Sequence, residues 1–128
     1  MKNREIYLSA LRLLAQDADP QENQDYEERA PYLLASLYSE LFDLDSRLRS
    51  FLGADIKERI DKACFFLDED FPLLDRFVAV ASRYLAAMLV LDEDGELSDK
   101  FFDMYCKGLL IIQNEIPATV EKIINKYK

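Results

Sequence analysis

The stretch from Pro72 to Leu91 restricts the fold more than any other part of the chain. Leu73, Leu74, Phe77, Val78, Val80, Leu85, Met88, Leu89, Val90 and Leu91 would point in all directions from a helix, with Ala79, Ala81, Ala86 and Ala87 between them. A helix that is apolar nearly all round has to be surrounded. Only Asp75, Arg76, Ser82 and Arg83 are strongly polar. The longest apolar region, Phe77–Leu91, is interrupted by Ser82 and Arg83 and falls short of the ~20 residues a membrane span requires. The expectation is therefore a buried central helix in a water-soluble bundle. Each large side chain it buries fully contributes about 1.5–3 kcal/mol, and its alanines let neighbours approach closely. Phe71 precedes a proline and should be extended, Asp70 is placed as an N-cap, and Pro72 opens the helix.

The flanking segments supply the cover. Over 3–15, Ile6, Ala10 and Leu13, with Tyr7, Leu11 and Leu14, recur at helical spacing. The stretch Gln16–Asp25 is polar and acidic and contains Pro20, which reads as a loop. Leu34, Leu37, Leu41, Leu44, Leu48 and Phe51 then alternate at three and four, a heptad seam. Asp25 and Glu28 have capping-box spacing, but Pro31 should break a helix begun that early. A short turn at 25–29 and a main helix over 31–52, with Pro31 in its first turn and Gly53 as its stop, fit better. Residues 54–70 are open between a helical turn and a short extended segment at Cys64-Phe65-Phe66-Leu67.

After the central helix, Asp92-Glu93-Asp94-Gly95-Glu96 reads as a solvated turn, and Ser98 is placed to cap the next helix. Over 97–116, Phe102, Tyr105, Leu109, Ile112 and Ile116 form a second seam, backed by Phe101, Cys106 and Leu110. Gly108 lowers helix propensity by about 1 kcal/mol relative to alanine, and a tight helix crossing there would compensate. Pro117 interrupts the helix. Val120, Ile123, Ile124 and Tyr127 then make a short amphipathic tail, too short to be stable alone. The fold class is all-α: one domain over 1–128, a small bundle of four main helices around the central helix 72–91, with a short C-terminal tail helix at 117–128 as a docking element.

A chain of 128 residues buries roughly two-thirds of its unfolded surface and needs no staple. There is no histidine. That removes Ser-His-Asp and Cys-His catalysis, His-ligated zinc and Glu-x-x-His di-iron sites together. No catalytic, metal or cofactor-binding residue is assigned, and no cofactor is expected. Cys64 and Cys106 are far apart and read as small core residues in a reducing compartment. The 92–96 turn fails the EF-hand spacing: with Gly95 as the obligatory glycine, the first and twelfth positions fall on Val90 and Phe101. Asp68-Glu69-Asp70 reads as one cap and two exposed acids.

With 16 basic against 25 acidic residues the net charge is -9. Without a basic stripe, direct nucleic-acid binding is not expected, and anionic membranes are disfavoured by the same sign. No apolar run of signal-peptide length follows the N-terminus, so the cytoplasm is the expected compartment. The partners expected are proteins. The seam of the second helix has fewer than three full heptads, which favours packing within the chain over a coiled-coil dimer. The tail, with Lys122, Lys126 and Lys128 on an acidic protein, is the better interaction surface.

The run Tyr84-Leu-Ala-Ala-Met-Leu-Val-Leu-Asp-Glu-Asp-Gly-Glu-Leu-Ser-Asp-Lys-Phe-Phe-Asp-Met-Tyr-Cys-Lys-Gly108 resembles small acidic helical proteins encoded among phage and prophage structural genes. The segment Asp25-Tyr-Glu-Glu-Arg-Ala-Pro-Tyr-Leu-Leu-Ala and the ending Gln113-Asn-Glu-Ile-Pro-Ala are similar in the same way. Head–tail connector and adaptor proteins share the plan of a buried alanine-rich helix, an acidic turn and an aromatic helix with a central tyrosine. The resemblance implies a non-enzymatic subunit that associates with itself or with other virion proteins, in the host cytoplasm or the assembled particle. Its motifs are packing motifs, so they carry no functional residue across. A small regulatory or adaptor bundle that binds a protein partner is the alternative.

Overall fold

The computed structural model describes residues 1–15 and 23–117. Among them are four α-helices: α1 (Asn3–Leu13), α2 (Gln24–Leu52), α3 (Val78–Val90) and α4 (Gly95–Glu115). The one β-type pairing is an isolated antiparallel bridge between Lys2 and Asp70. The expected all-α bundle is observed. α3 packs against α1, α2 and α4. Its Val80, Ala81, Leu85, Ala86, Ala87 and Leu89 are buried on several sides, as an all-round apolar helix requires. Gly108 of α4 sits at the α3 crossing, where a Cβ would lie 2.6 Å from Val80 Cγ1. Close approach, rather than backbone freedom, is the reason for glycine there.

Several boundaries differ from expectation. α2 starts at Gln24 rather than at Pro31, so Pro31 lies inside the helix. An internal proline costs about 3 kcal/mol through its missing hydrogen bond and its clash with the preceding turn. The two turns before it are held by other contacts. Tyr26 and Ala30 are buried, the Tyr26 hydroxyl donates to Glu93 at 2.6 Å, and Arg29 donates to the Leu89 carbonyl at 2.8 Å. The Pro31 carbonyl also accepts the Phe65 amide at 3.0 Å. Phe51, placed on the seam, is exposed, whereas Asp45 and Arg49 are buried. Gly53 stops the helix as expected, in the left-handed conformation at φ 72°.

Asp70 is not a helix cap. It pairs with Lys2, both by the backbone bridge and by a salt bridge at 3.0 Å. Pro72 and Leu73 precede the helix. A 3-10 turn at Asp75–Phe77 leads into α3. Residues 54–70 contain neither a helix nor a strand. Phe65 and Leu67 turn inward and Phe66 outward, so this part is extended. Asn3 and Arg4 donate their backbone amides to the Glu69 and Leu67 carbonyls, each at 2.9 Å. The N-terminus therefore clasps this segment. On α4 the cap is Asp94, whose carboxylate accepts the Leu97 amide at 3.1 Å. Ser98 is one turn in and donates instead to the Ala87 carbonyl at 2.8 Å, stitching α4 to α3. Cys64 is half-buried and Cys106 exposed, so neither is the core residue expected.

Candidate association surfaces

A groove of about 640 Å³ opens between the end of α1 and the start of α3. Asp75, Arg76, Ser82 and Arg83, the four polar interruptions of the central apolar stretch, all line it. Asp75 and Arg76 come from the 3-10 turn that leads into α3, and Ala79, Ser82 and Arg83 follow on one side of α3 at spacings of three and four. Leu13, Val78 and Ala79 supply the apolar surface, and Arg12 joins from α1. Arg76 is tied to Glu115 of α4, which raises its already high pKa through that bond. Neither Arg12 nor Arg83 has an ion-pair partner among the described residues. The result is an apolar groove with free cationic charge on a chain whose net charge is -9.

The outer side of α4 forms a second surface. Phe102 is 40% exposed, Cys106 is exposed and Leu110 is 56% exposed. At spacings of four they make one ridge along the helix. Ile111 is also exposed on the flank. The seam predicted from Phe102, Tyr105, Leu109, Ile112 and Ile116 is thus only partly inward. Phe101, Tyr105 and Ile112 are buried, while Phe102 and Leu110 are not. The Tyr105 ring packs at a tilt against those of Tyr84 and Phe102, with ring centroids 5.2 and 5.6 Å away. Its hydroxyl donates to Glu40 of α2 at 3.0 Å. Burial, then the Glu40 carboxylate, pushes the Tyr105 phenol well above its ordinary value.

A cleft of about 470 Å³ lies between α2 and the 57–73 segment, with Tyr38, Asp45 and Arg49 in its wall. The polar atoms of Tyr38, Asp45 and Arg49 serve the chain itself. Asp45 accepts from Arg49 Nε at 2.7 Å and from the Leu74 amide at 2.8 Å. Arg49 also donates to the Asp55 and Pro72 carbonyls at 3.2 and 3.4 Å. The Tyr38 oxygen accepts the Ile60 amide at 2.8 Å. This constellation holds an irregular segment on a helix. Heptad reasoning missed it because Asp45 and Arg49 sit beside the leucine seam, at the i, i+4 spacing of any helical ion pair.

Val120, Ile123, Ile124 and Tyr127, the surface expected from sequence, lie outside the described residues. Among the described residues no group of three or more His, Cys, Asp and Glu side chains is placed to hold a metal ion. No described helix is long and apolar enough to cross a membrane. Comparison with family models, curated proteins and solved structures finds no match to the chain.

Proposed function

We propose that the chain is a non-enzymatic structural or assembly protein of a phage or prophage particle, of head–tail connector type, acting by association with copies of itself or with other virion proteins. The observation that carries this reading is the exposed ridge of Phe102, Cys106 and Leu110 on α4. A helix that has already buried Phe101, Tyr105 and Ile112 on α3 has met its folding requirement. A second apolar ridge on its exposed flank is suited to another protein. Phe102 and Cys106 of the ridge lie within the Tyr84–Gly108 run that resembles phage connector proteins, and Leu110 lies just beyond it.

Solution mass tests the reading. Sedimentation velocity over a hundredfold concentration range should show association of the purified chain alone or with virion proteins encoded beside it. Leu110→Glu, at an exposed position, should leave the melting temperature unchanged and weaken association through the ridge. A chain that remains monomeric and captures no such protein would refute the virion reading. The alternative, a small regulatory or adaptor bundle, is favoured by the arginine-lined groove and gains support if a non-virion protein is captured and groove variants abolish that capture.

A further inference from the structure

Two surfaces at opposite ends of α3 are complementary in charge and in apolar character. The groove lies along the first half of the helix, with Leu13, Val78 and Ala79 as its apolar part and Arg12 and Arg83 unpaired among the described residues. Beyond the other end, Leu91 is 51% exposed and is followed by the exposed turn Asp92-Glu93-Asp94-Gly95-Glu96. Two of its acids are engaged: Glu93 accepts from Tyr26, and Asp94 caps α4. Asp92 and Glu96 have no partner among the described residues. One end is thus an apolar floor whose unpaired side chains, the Arg12 and Arg83 guanidiniums and the Asp75 carboxylate, leave it net positive, and the other an apolar knob with two free carboxylates. α3 has 13 residues, a length of roughly 20 Å, so one molecule cannot bring its own two ends together.

We propose that the groove receives the Leu91–Glu96 turn of a second copy, joining subunits head to tail. Leu91 covers the Leu13, Val78 and Ala79 surface, and the guanidiniums of Arg12 and Arg83 take the carboxylates of Asp92 and Glu96, a pairing suited to the planar donor fork of arginine. Such a contact uses different patches on the two partners. It therefore propagates, closing into a ring if the rotation per subunit permits and otherwise growing as a filament. The chain's own tail is a poorer occupant, because Lys122, Lys126 and Lys128 against Glu121 give it the same sign as the groove. The overall charge of -9 does not forbid the contact: at 0.15 M salt, charges further apart than about 8 Å are largely screened, whereas touching pairs are not. This inference rests on the association reading and specifies which surfaces join copies.

A charge swap tests it. The Arg12→Glu, Arg83→Glu variant has an acidic groove and an acidic turn. The Asp92→Lys, Glu96→Lys variant keeps the cationic groove and has ammonium groups where the turn's two unpaired carboxylates stood. Each alone should associate at least about tenfold more weakly than wild type, about 1.4 kcal/mol, in sedimentation velocity at 0.15 M salt. An equimolar mixture should recover association. Arg12→Glu alone, at an exposed position away from the α3–α4 crossing, serves if the double groove variant melts lower than wild type. Oligomers that survive both charge reversals but not Leu110→Glu overturn the head-to-tail contact and leave the association reading standing. Wild type that is monomeric at every concentration overturns this contact, whether or not another protein is captured.

Discussion

Asp45 accepts the Leu74 amide hydrogen at 2.8 Å, binding the middle of α2 to the residue that precedes the 3-10 turn into α3. Its other oxygen holds Arg49, and both side chains are buried. Asp45→Ala should cost about 3–5 kcal/mol, because it strands a buried guanidinium and an amide. Replacing both partners with apolar residues, Asp45→Leu with Arg49→Met, should cost clearly less. Urea denaturation of the three proteins measures the difference. Equal losses from single and double variants would mean that the pair is not a closed unit.

Gly108→Ala sets two effects against each other. Helix propensity favours alanine by about 1 kcal/mol. Against it, the new methyl would meet Val80 Cγ1 at 2.6 Å and Arg83 Nη1 at 3.2 Å, and overpacking of this kind costs about 1–3 kcal/mol. The expected outcome is net destabilisation, seen as a lower melting temperature. In combination with Val80→Ala the loss should be less than the sum of the two single changes, since that variant removes the obstructing atom.

Pro31→Ala should raise the melting temperature. Alanine restores an amide donor two turns into α2 and removes the ring's conflict with the preceding turn. The gain is reduced by lost burial of the ring and by a more flexible unfolded chain, worth about 0.4–1 kcal/mol. A fall in melting temperature would show that burial of the Pro31 ring outweighs the helix defect.

Alkaline pH should unfold the domain through its tyrosines. Burial pushes Tyr7 up to about 12, with Glu27 adding to it. Burial, then the hydrogen bond to Glu93, pushes Tyr26 up to about 12. Unfolded, both titrate near 10, so from about pH 10 the unfolded state holds fewer protons. The stability they lend is complete below that pH and is lost as pH climbs towards 12. Chemical denaturation across pH 8–12, with phenolate absorbance as the proton count, checks this. The two residues should separate on substitution. The buried Tyr7 hydroxyl has no hydrogen-bond partner among the described residues, so Tyr7→Phe should be neutral or stabilising by about 1 kcal/mol. Tyr26→Phe loses its bond to Glu93 and should be destabilising.

The hydrophobic pattern made the helices legible, but not their ends. α3 as the surrounded helix, Gly53 as the stop of α2 and Gly108 as a close crossing all follow from local spacing and residue size. The errors at Pro31, Asp70 and Ser98 have a common source. Each residue carries a strong local preference that a distant contact overrides: Glu93 and Leu89 for the turns before Pro31, Lys2 for Asp70, and Ala87 for Ser98. One wall of the groove was visible as residues but not as a groove: Asp75, Arg76, Ser82 and Arg83 stood out as the polar interruptions of the apolar stretch, two of them in the 3-10 turn and two on α3. Its other wall, Arg12 and Leu13, is brought by α1 packing on α3, a pairing more than sixty positions apart along the chain. No local periodicity encodes such a meeting.

The place of α3 in the packing has a consequence for the order of events during synthesis. α1 and α2 both pack on a helix that is not complete until Val90 has been made. At about 5–20 residues per second, the interval between finishing α1 and finishing α3 is roughly 4–15 s. Ile6 and Leu11 throughout it, and Leu34, Leu37 and Leu41 from the time they are made, lack α3 to pack on. The nascent chain carries its adhesive sides uncovered for most of its birth. A chaperone or a neighbouring nascent copy would find its opening there, before the native bundle exists.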